Sequence, residues 1–131
     1  MTTHKSEHEY WNRTAAVYDA ATAYVMGKTT QEKTNTWVSN QFTHTDEVLE
    51  LGCGTGCFSR IIAERVKHLT TTDGSREMLK LVTRNLGPLN NTTVQKENCY
   101  RTSFADGLFD VVFMGNVIHI LARPVEALME A

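Results

Sequence analysis

The chain has 131 residues, 41% hydrophobic and 21% charged, with a formal net charge of −2. That length suits one domain with a real core and is too short for two, and the near-neutral balance excludes a general attraction to nucleic acid or to an anionic membrane surface. The opening MTTHKSEHEY has no apolar signal segment, no stretch approaches the roughly 18 apolar residues of a membrane span, and an odd set of cysteines (Cys53, Cys57, Cys99) without secretory context predicts a reducing, cytoplasmic setting.

Residues 7–26 carry Tyr10, Trp11, Val17, Tyr18, Tyr24 and Val25 with little to break them before Gly27, and predict one or two helices. Residues 29–42 predict another, with Trp37, Val38 and Phe42 on its buried side. EVLEL (47–51) is a short strand, and residues 57–66 space Phe58, Ile61, Ile62 and Val66 as one helix face. HLTTTD (68–73) is β-branched and predicts a second strand. Residues 75–87 predict a helix capped by Ser75 and stopped at Gly87-Pro88, with Met78, Leu79, Leu81, Val82 and Leu86 inward. TTVQKE (92–97) is a third strand. FDVVFMG (109–115) is a continuous apolar run, the pattern of a strand buried on both faces. A last helix begins at residue 123, with Pro124 in its first turn.

Strands alternating with helices imply a parallel sheet with helices on its faces. After the last helix another strand is expected, but none follows, and the chain reads as if cut inside a helix.

VLELGCGTG (48–56) raises a specific question, because glycines occupy three alternate positions, Gly52, Gly54 and Gly56, directly after a strand. Such a loop at the carboxyl end of a parallel strand gathers backbone N–H groups and a positive helix end at one point. Alone it could be a tight turn with no ligand. Asp73, however, ends the next strand 21 residues after Gly52, the distance at which an acid accepts from ribose hydroxyls in nucleoside-binding α/β folds. The dinucleotide pattern G-x-G-x-x-G would put its third glycine at position 57, which is Cys57. Glu50, expected at the mouth, would repel a pyrophosphate and suit an ammonium or sulfonium group. Both features point away from NAD. Cys53 and Cys57 flank the loop with no second ligand pair near them, so no metal site is expected.

VLELGCGTG closely resembles motif I of the class I S-adenosylmethionine-dependent methyltransferases, TTDGSREML resembles the segment after their second strand, and FADGLFDVVFMGNVIHIL resembles the region around their fourth. WNRTAAVYDA is similar to the segment that precedes this domain in the family, so the likeness covers about residues 10–131. The resemblance implies an α/β, Rossmann-like, doubly wound parallel sheet over residues 44–131, preceded by an N-terminal helical cap over residues 1–43. It implies S-adenosylmethionine as cofactor and a small-molecule acceptor. Glu50 and Gly52 correspond to positions at the amino-acid end of the cofactor, with Cys53 between the glycines and Gly54 and Gly56 allowing close backbone approach. Asp73 corresponds to the ribose acid and is followed by Gly74. Met78 is either core or adenine wall. Asn98 and Cys99 stand where the family has Asp-Ala, an amide in place of a carboxylate at the adenine amino group. Asn116 falls where backbone lines the methionine part. Tyr18 resembles the tyrosine that closes over the cofactor, with Trp11 nearby, although both could simply anchor the N-terminal helices.

Methyl transfer from a sulfonium requires alignment and exclusion of water more than a base, so no catalytic residue is assigned. His119 is either a packed histidine or a general base, and Asp110 is structural. The family sheet has seven strands, and strands five to seven have no counterpart here. Strand four would then be an open edge, which predicts self-association or a longer parent chain. Two readings stand at this point: a small-molecule methyltransferase, or a non-catalytic cofactor-binding domain that keeps the nucleoside pocket.

Overall fold

The computed structural model describes residues 4–131; residues 1–3 of the expected cap segment lie outside the described residues. Three helices come first: α1 (His4–Thr14), then a 3-10 turn (Ala15–Val17) leading into α2 (Tyr18–Met26), then α3 (Lys28–Ser39). The α/β part follows as β1 (Glu47–Leu51), α4 (Ser59–Ala63), β2 (His68–Asp73), α5 (Arg76–Leu86), β3 (Thr92–Lys96), β4 (Val111–Phe113) and α6 (Pro124–Glu130).

All four strands are parallel, in the order β3-β2-β1-β4. The chain steps outward from β1 to β2 to β3 and then returns to the other side of β1. The strand order therefore reverses between β1 and β4, and in such sheets the crevice beyond the carboxyl ends at the reversal is the natural ligand site. The register of Val48 against Leu69 on one side and Val111 on the other aligns the strand ends.

β1 is the central strand, and four of its five residues are buried. Val48 and Leu69 pack with Val38 and Phe42 from α3 and its C-terminal extension, and with Phe58, Ile62, Ala63 and Val66 around α4. A second cluster joins Cys53 to Val82 and Leu86 of α5. Val38 and Phe42 are four residues apart and share one helix face. Trp37, expected beside them, is instead 63% exposed, because one position corresponds to about 100° of helix rotation.

Two elements are shorter than the apolar pattern predicts. The helix expected over 57–66 covers only Ser59–Ala63, because the glycine loop runs on to Phe58 and the Asn91 side-chain amide donates to the carbonyls of Ala63 and Val66 at the other end. The strand expected over 109–115 covers only Val111–Phe113. Asp110 clamps its start: its N–H donates to the Glu47 carbonyl and its carboxylate accepts from the Glu47 N–H at 2.9 Å. Asp110 is thus structural, as expected. Beyond Phe113 the chain turns at Asn116, the only described non-glycine residue with positive φ (57°).

Candidate functional site

A cleft lies over the carboxyl ends of the strands, at the reversal point. Gly52 follows β1, Asp73 and Gly74 end β2, Glu97 and Cys99 follow β3, and Asn116 and Val117 follow β4; all of them line it. The short loops of a parallel sheet bring these distant stretches of sequence together. Helix α1 forms the opposite wall, contributing Glu7, His8 and Trp11, and Tyr18 closes one end.

Asp73 is the best-defined acid. Its carboxylate accepts from the Gly54 N–H at 2.9 Å and from the Ser75 N–H at 2.8 Å. Burial pushes its pKa up, and the hydrogen bonds from the Ser75, Gly54 and Gly74 backbone oppose that. These backbone donors leave lone pairs on the carboxylate that can still accept from hydroxyls. Glu97, at the end of β3, is a second acid of the cleft; it accepts from Gln95 Nε2 at 2.6 Å and from the N–H and hydroxyl of Ser103.

The three glycines serve different ends. A Cβ on Gly52 would lie 2.6 Å from Val117 Cγ2, so Gly52 lets the chain after β4 close over the loop. A Cβ on Gly54 would meet only Tyr18 Cε1, at 3.8 Å, so its backbone faces the cleft beneath that ring. Gly56 is turned away from the cleft, and a Cβ there would lie 2.5 Å from Val82 Cγ2. It is a packing glycine against α5, which corrects the expectation that it approaches a ligand. All three have positive φ, which other residues adopt at a cost.

Of the other expected site residues, Tyr18, Gly74, Met78, Cys99 and Asn116 line the cleft. Tyr18 is held from both sides. Trp11 meets it edge-on with ring centroids 5.9 Å apart, and the neighbouring Asp19 accepts from the Thr55 hydroxyl of the glycine loop. Met78 is 2% exposed and so serves as both core and wall.

Besides Gly56, three residues expected in the site stand outside it. Glu50 is not at the mouth. It is 2% exposed, behind the loop, where Glu50 Oε2 accepts from Ser59 Oγ at 2.6 Å and Thr71 Oγ1 at 2.8 Å. Burial raises its pKa to about 7. Cys53 points into the core beside Val82 and Leu86. Asn98 uses its side-chain carbonyl to accept from the Tyr100 N–H at 2.9 Å and faces a shallow polar depression next to the cleft. His119 is exposed on a 3-10 turn and does not line the cleft, so it is not the packed histidine that one reading of the sequence gives. Among the described residues no group of three or more His, Cys, Asp or Glu side chains could hold a metal ion.

The wall from α1 is what the sequence conceals. Glu7 accepts from the Tyr100 hydroxyl at 3.2 Å and from the Ala122 N–H at 2.9 Å, joining α1 to the loops after β3 and β4. Asn12 accepts from the Ser75 hydroxyl at 2.6 Å. The His8 ring lies so close over Gly74 that a Cβ there would come within 2.2 Å of its Nε2. These contacts span 63 to 115 positions of chain, and no local pattern announces them. Glu97 alone carried a readable signal, as an acid ending a strand.

Residues 49–131 match the model of a family described as a methyltransferase domain. No curated protein matches the chain significantly. Among solved structures, the [4+2]-cyclase SpnF superposes with a TM-score of 0.82 at 13% identity, over 98% of this chain and 54% of that one. The N-methyltransferase NodS from Bradyrhizobium japonicum, crystallised with S-adenosylhomocysteine, has a TM-score of 0.77 at 19% identity, over 94% of this chain and 64% of that one. DhpI, also crystallised with S-adenosylhomocysteine, has a TM-score of 0.71 at 21% identity, over 99% of this chain and 64% of that one. The chain spans about half the length of the structures it matches, 44% and 53% in two further cases. The parallel sheet, its reversal point, the glycine loop with Asp73, and the family match over residues 49–131 together establish that the chain belongs to the class I S-adenosylmethionine-dependent methyltransferases.

Proposed function

We propose that this chain binds S-adenosylmethionine in the cleft and serves methyl transfer to a small-molecule acceptor, with residues 1–43 as a cap over a cofactor domain formed by residues 44–131. The observation that carries this reading is the Asp73 carboxylate, facing the cleft at the end of β2 and held 2.9 Å from the Gly54 N–H of the glycine loop. The cleft suits such a group. Its floor is bare backbone at Gly52, Gly54 and Gly74, Asp73 and Glu97 offer acceptors for hydroxyl and amino groups, and its end is aromatic. The two neighbours crystallised with S-adenosylhomocysteine support the same reading.

When bound, the cofactor supplies an already activated methyl group, so the protein's work is alignment and exclusion of water. Asp73 would accept from the ribose hydroxyls. Met78 and Cys99 would wall the adenine, and the turn at Asn116 with Gly52 would border the amino-acid end. Tyr18 and Trp11 present aromatic faces of the kind that suit a sulfonium cation.

A second reading is cofactor binding without methyl transfer, because the neighbour SpnF shares the fold and is described as a cyclase. Calorimetry separates these outcomes from a nicotinamide protein. Saturable binding of S-adenosylhomocysteine with no response to NAD is expected, and NAD binding without S-adenosylhomocysteine binding overturns the proposal. Turnover of labelled S-adenosylmethionine against a panel of small acceptors then decides between the two readings.

A further inference from the structure

A second cavity adjoins the cleft at α1 and the turn after β4. It is lined by Tyr10, Trp11, Glu7, Arg13, Ile120 and Leu121, and it shares Glu7, Trp11, Ile120 and Leu121 with the cleft itself. We propose that this cavity is the acceptor subsite and that it takes a small monoamine, bound as its ammonium; the acceptor role rests on the methyltransferase reading above.

The chemistry of the walls selects the class. Tyr10 and Trp11 both line the cavity, with ring centroids 5.0 Å apart and planes at 85°, so two roughly perpendicular aromatic rings border it. Ring faces attract cations and do nothing comparable for anions or neutral hydroxyls. Glu7 lines both the cavity and the cleft, and its carboxylate is fixed by the Ala122 N–H and the Tyr100 hydroxyl. With those donors in place its oxygens retain lone pairs for an ammonium N–H. Ile120 and Leu121 offer an apolar side to the carbon skeleton. Arg13, on the same cavity, repels any cation near it, so the ammonium belongs at the Glu7 end and a neutral or anionic tail at the Arg13 end. The Trp11–Tyr18 contact at 5.9 Å continues the aromatic wall from this cavity to the cleft end assigned above to the sulfonium.

Transfer to such an amine balances simply. The ammonium releases one proton to water and the nitrogen lone pair forms the new C–N bond. The C–S bond breaks with its electron pair left on sulfur, and the positive charge moves to the methylated nitrogen.

Calorimetry on the full chain, with and without S-adenosylhomocysteine, tests this with benzylamine against its neutral counterpart benzyl alcohol. Benzylamine is expected to bind at least tenfold more tightly. Tyr10→Ala, at a residue that lines only the second cavity, is expected to weaken benzylamine about 3- to 30-fold, the range of one cation–π contact, while leaving S-adenosylhomocysteine affinity unchanged; Tyr10→Phe keeps the ring and is expected to bind as wild type. Equal affinity for the two probes, or no effect of Tyr10→Ala, overturns the amine subsite. Loss of S-adenosylhomocysteine binding alone, with the amine preference intact, instead overturns the methyltransferase reading and the acceptor role that rests on it.

Discussion

Asp73 and Glu50 look alike in the sequence, each an acid near the end of an apolar strand, and the structure gives them opposite lives. Asp73 faces the cleft and takes backbone N–H groups, whereas Glu50 is sealed behind the loop with two hydroxyls. The difference depends on what lies across the sheet, namely Ser59 and Thr71 on neighbouring elements, which is why the placement of Asp73 at the cleft is legible in the sequence and that of Glu50 is not. The same holds for Gly56, whose reason is Val82 of α5 rather than a ligand. Asp73→Ala is expected to weaken S-adenosylhomocysteine binding by about 1.5–3 kcal/mol, the value of hydrogen bonds to a charged group, read as a dissociation constant by calorimetry. An unchanged constant would make Asp73 only a strand terminus.

Glu50 predicts a stability signature. Burial raises its pKa from 4.5 to about 7. Below pH 4.5 the acid is protonated in both folded and unfolded chains. Between there and pH 7 the unfolded chain releases the proton while the folded one retains it, so stability falls as pH rises and levels off above about pH 7. A shift of this size corresponds to about 3 kcal/mol. Measured by urea unfolding, wild type is therefore expected to lose about that much relative to Glu50→Gln between pH 4 and pH 8. A pH-independent difference between the two proteins would show that Glu50 is ionised as easily in the fold as outside it.

At the scale of elements, legibility follows self-sufficiency. β1 and β2 lie where their β-branched and apolar runs predict. Helix α5, with its amphipathic spacing, its Ser75 cap and its Gly87-Pro88 stop, spans Arg76–Leu86 within the predicted 75–87. Helix α4 takes its end from Asn91 and strand β4 its start from the pairing of Asp110 with Glu47, partners that lie far apart in sequence, so the local apolar pattern predicts both elements too long. The Ser75 hydroxyl accepts from the Met78 N–H at 3.2 Å and donates to Asn12 of α1, so one side chain both starts α5 and seats α1 on it. Ser75→Ala is expected to cost about 1–2 kcal/mol in urea unfolding, the upper part of the range for a lost N-cap. It is also expected to increase hydrogen exchange in α1. A change of under about 0.5 kcal/mol would be that of an ordinary surface substitution and would refute the dual role.

For the whole molecule, the reversal of strand order between β1 and β4 fixes where the cleft lies, and the alternation of elements announced that sheet in advance. What alternation could not announce is how the outer surface is finished. Among the described residues β4 pairs with β1 alone, so the backbone groups on its other side form an edge of the kind that templates further pairing. The segment that follows adds apolar surface: Val125, Leu128 and Met129 of α6 are 70%, 55% and 83% exposed. Full burial of each such side chain would contribute about 1.5–3 kcal/mol, against a net stability of about 5–15 kcal/mol for a typical domain. Covering this face is therefore worth a substantial part of the domain's margin, and a second copy can supply the cover. A preparation of these 131 residues is expected to sediment as concentration-dependent oligomers at micromolar levels, with Leu128→Lys and Met129→Lys shifting it toward monomer. Sedimentation as a monomer at all concentrations, with one cooperative thermal transition, would show that the short β4 edge and the face of α6 are tolerated in water as they stand.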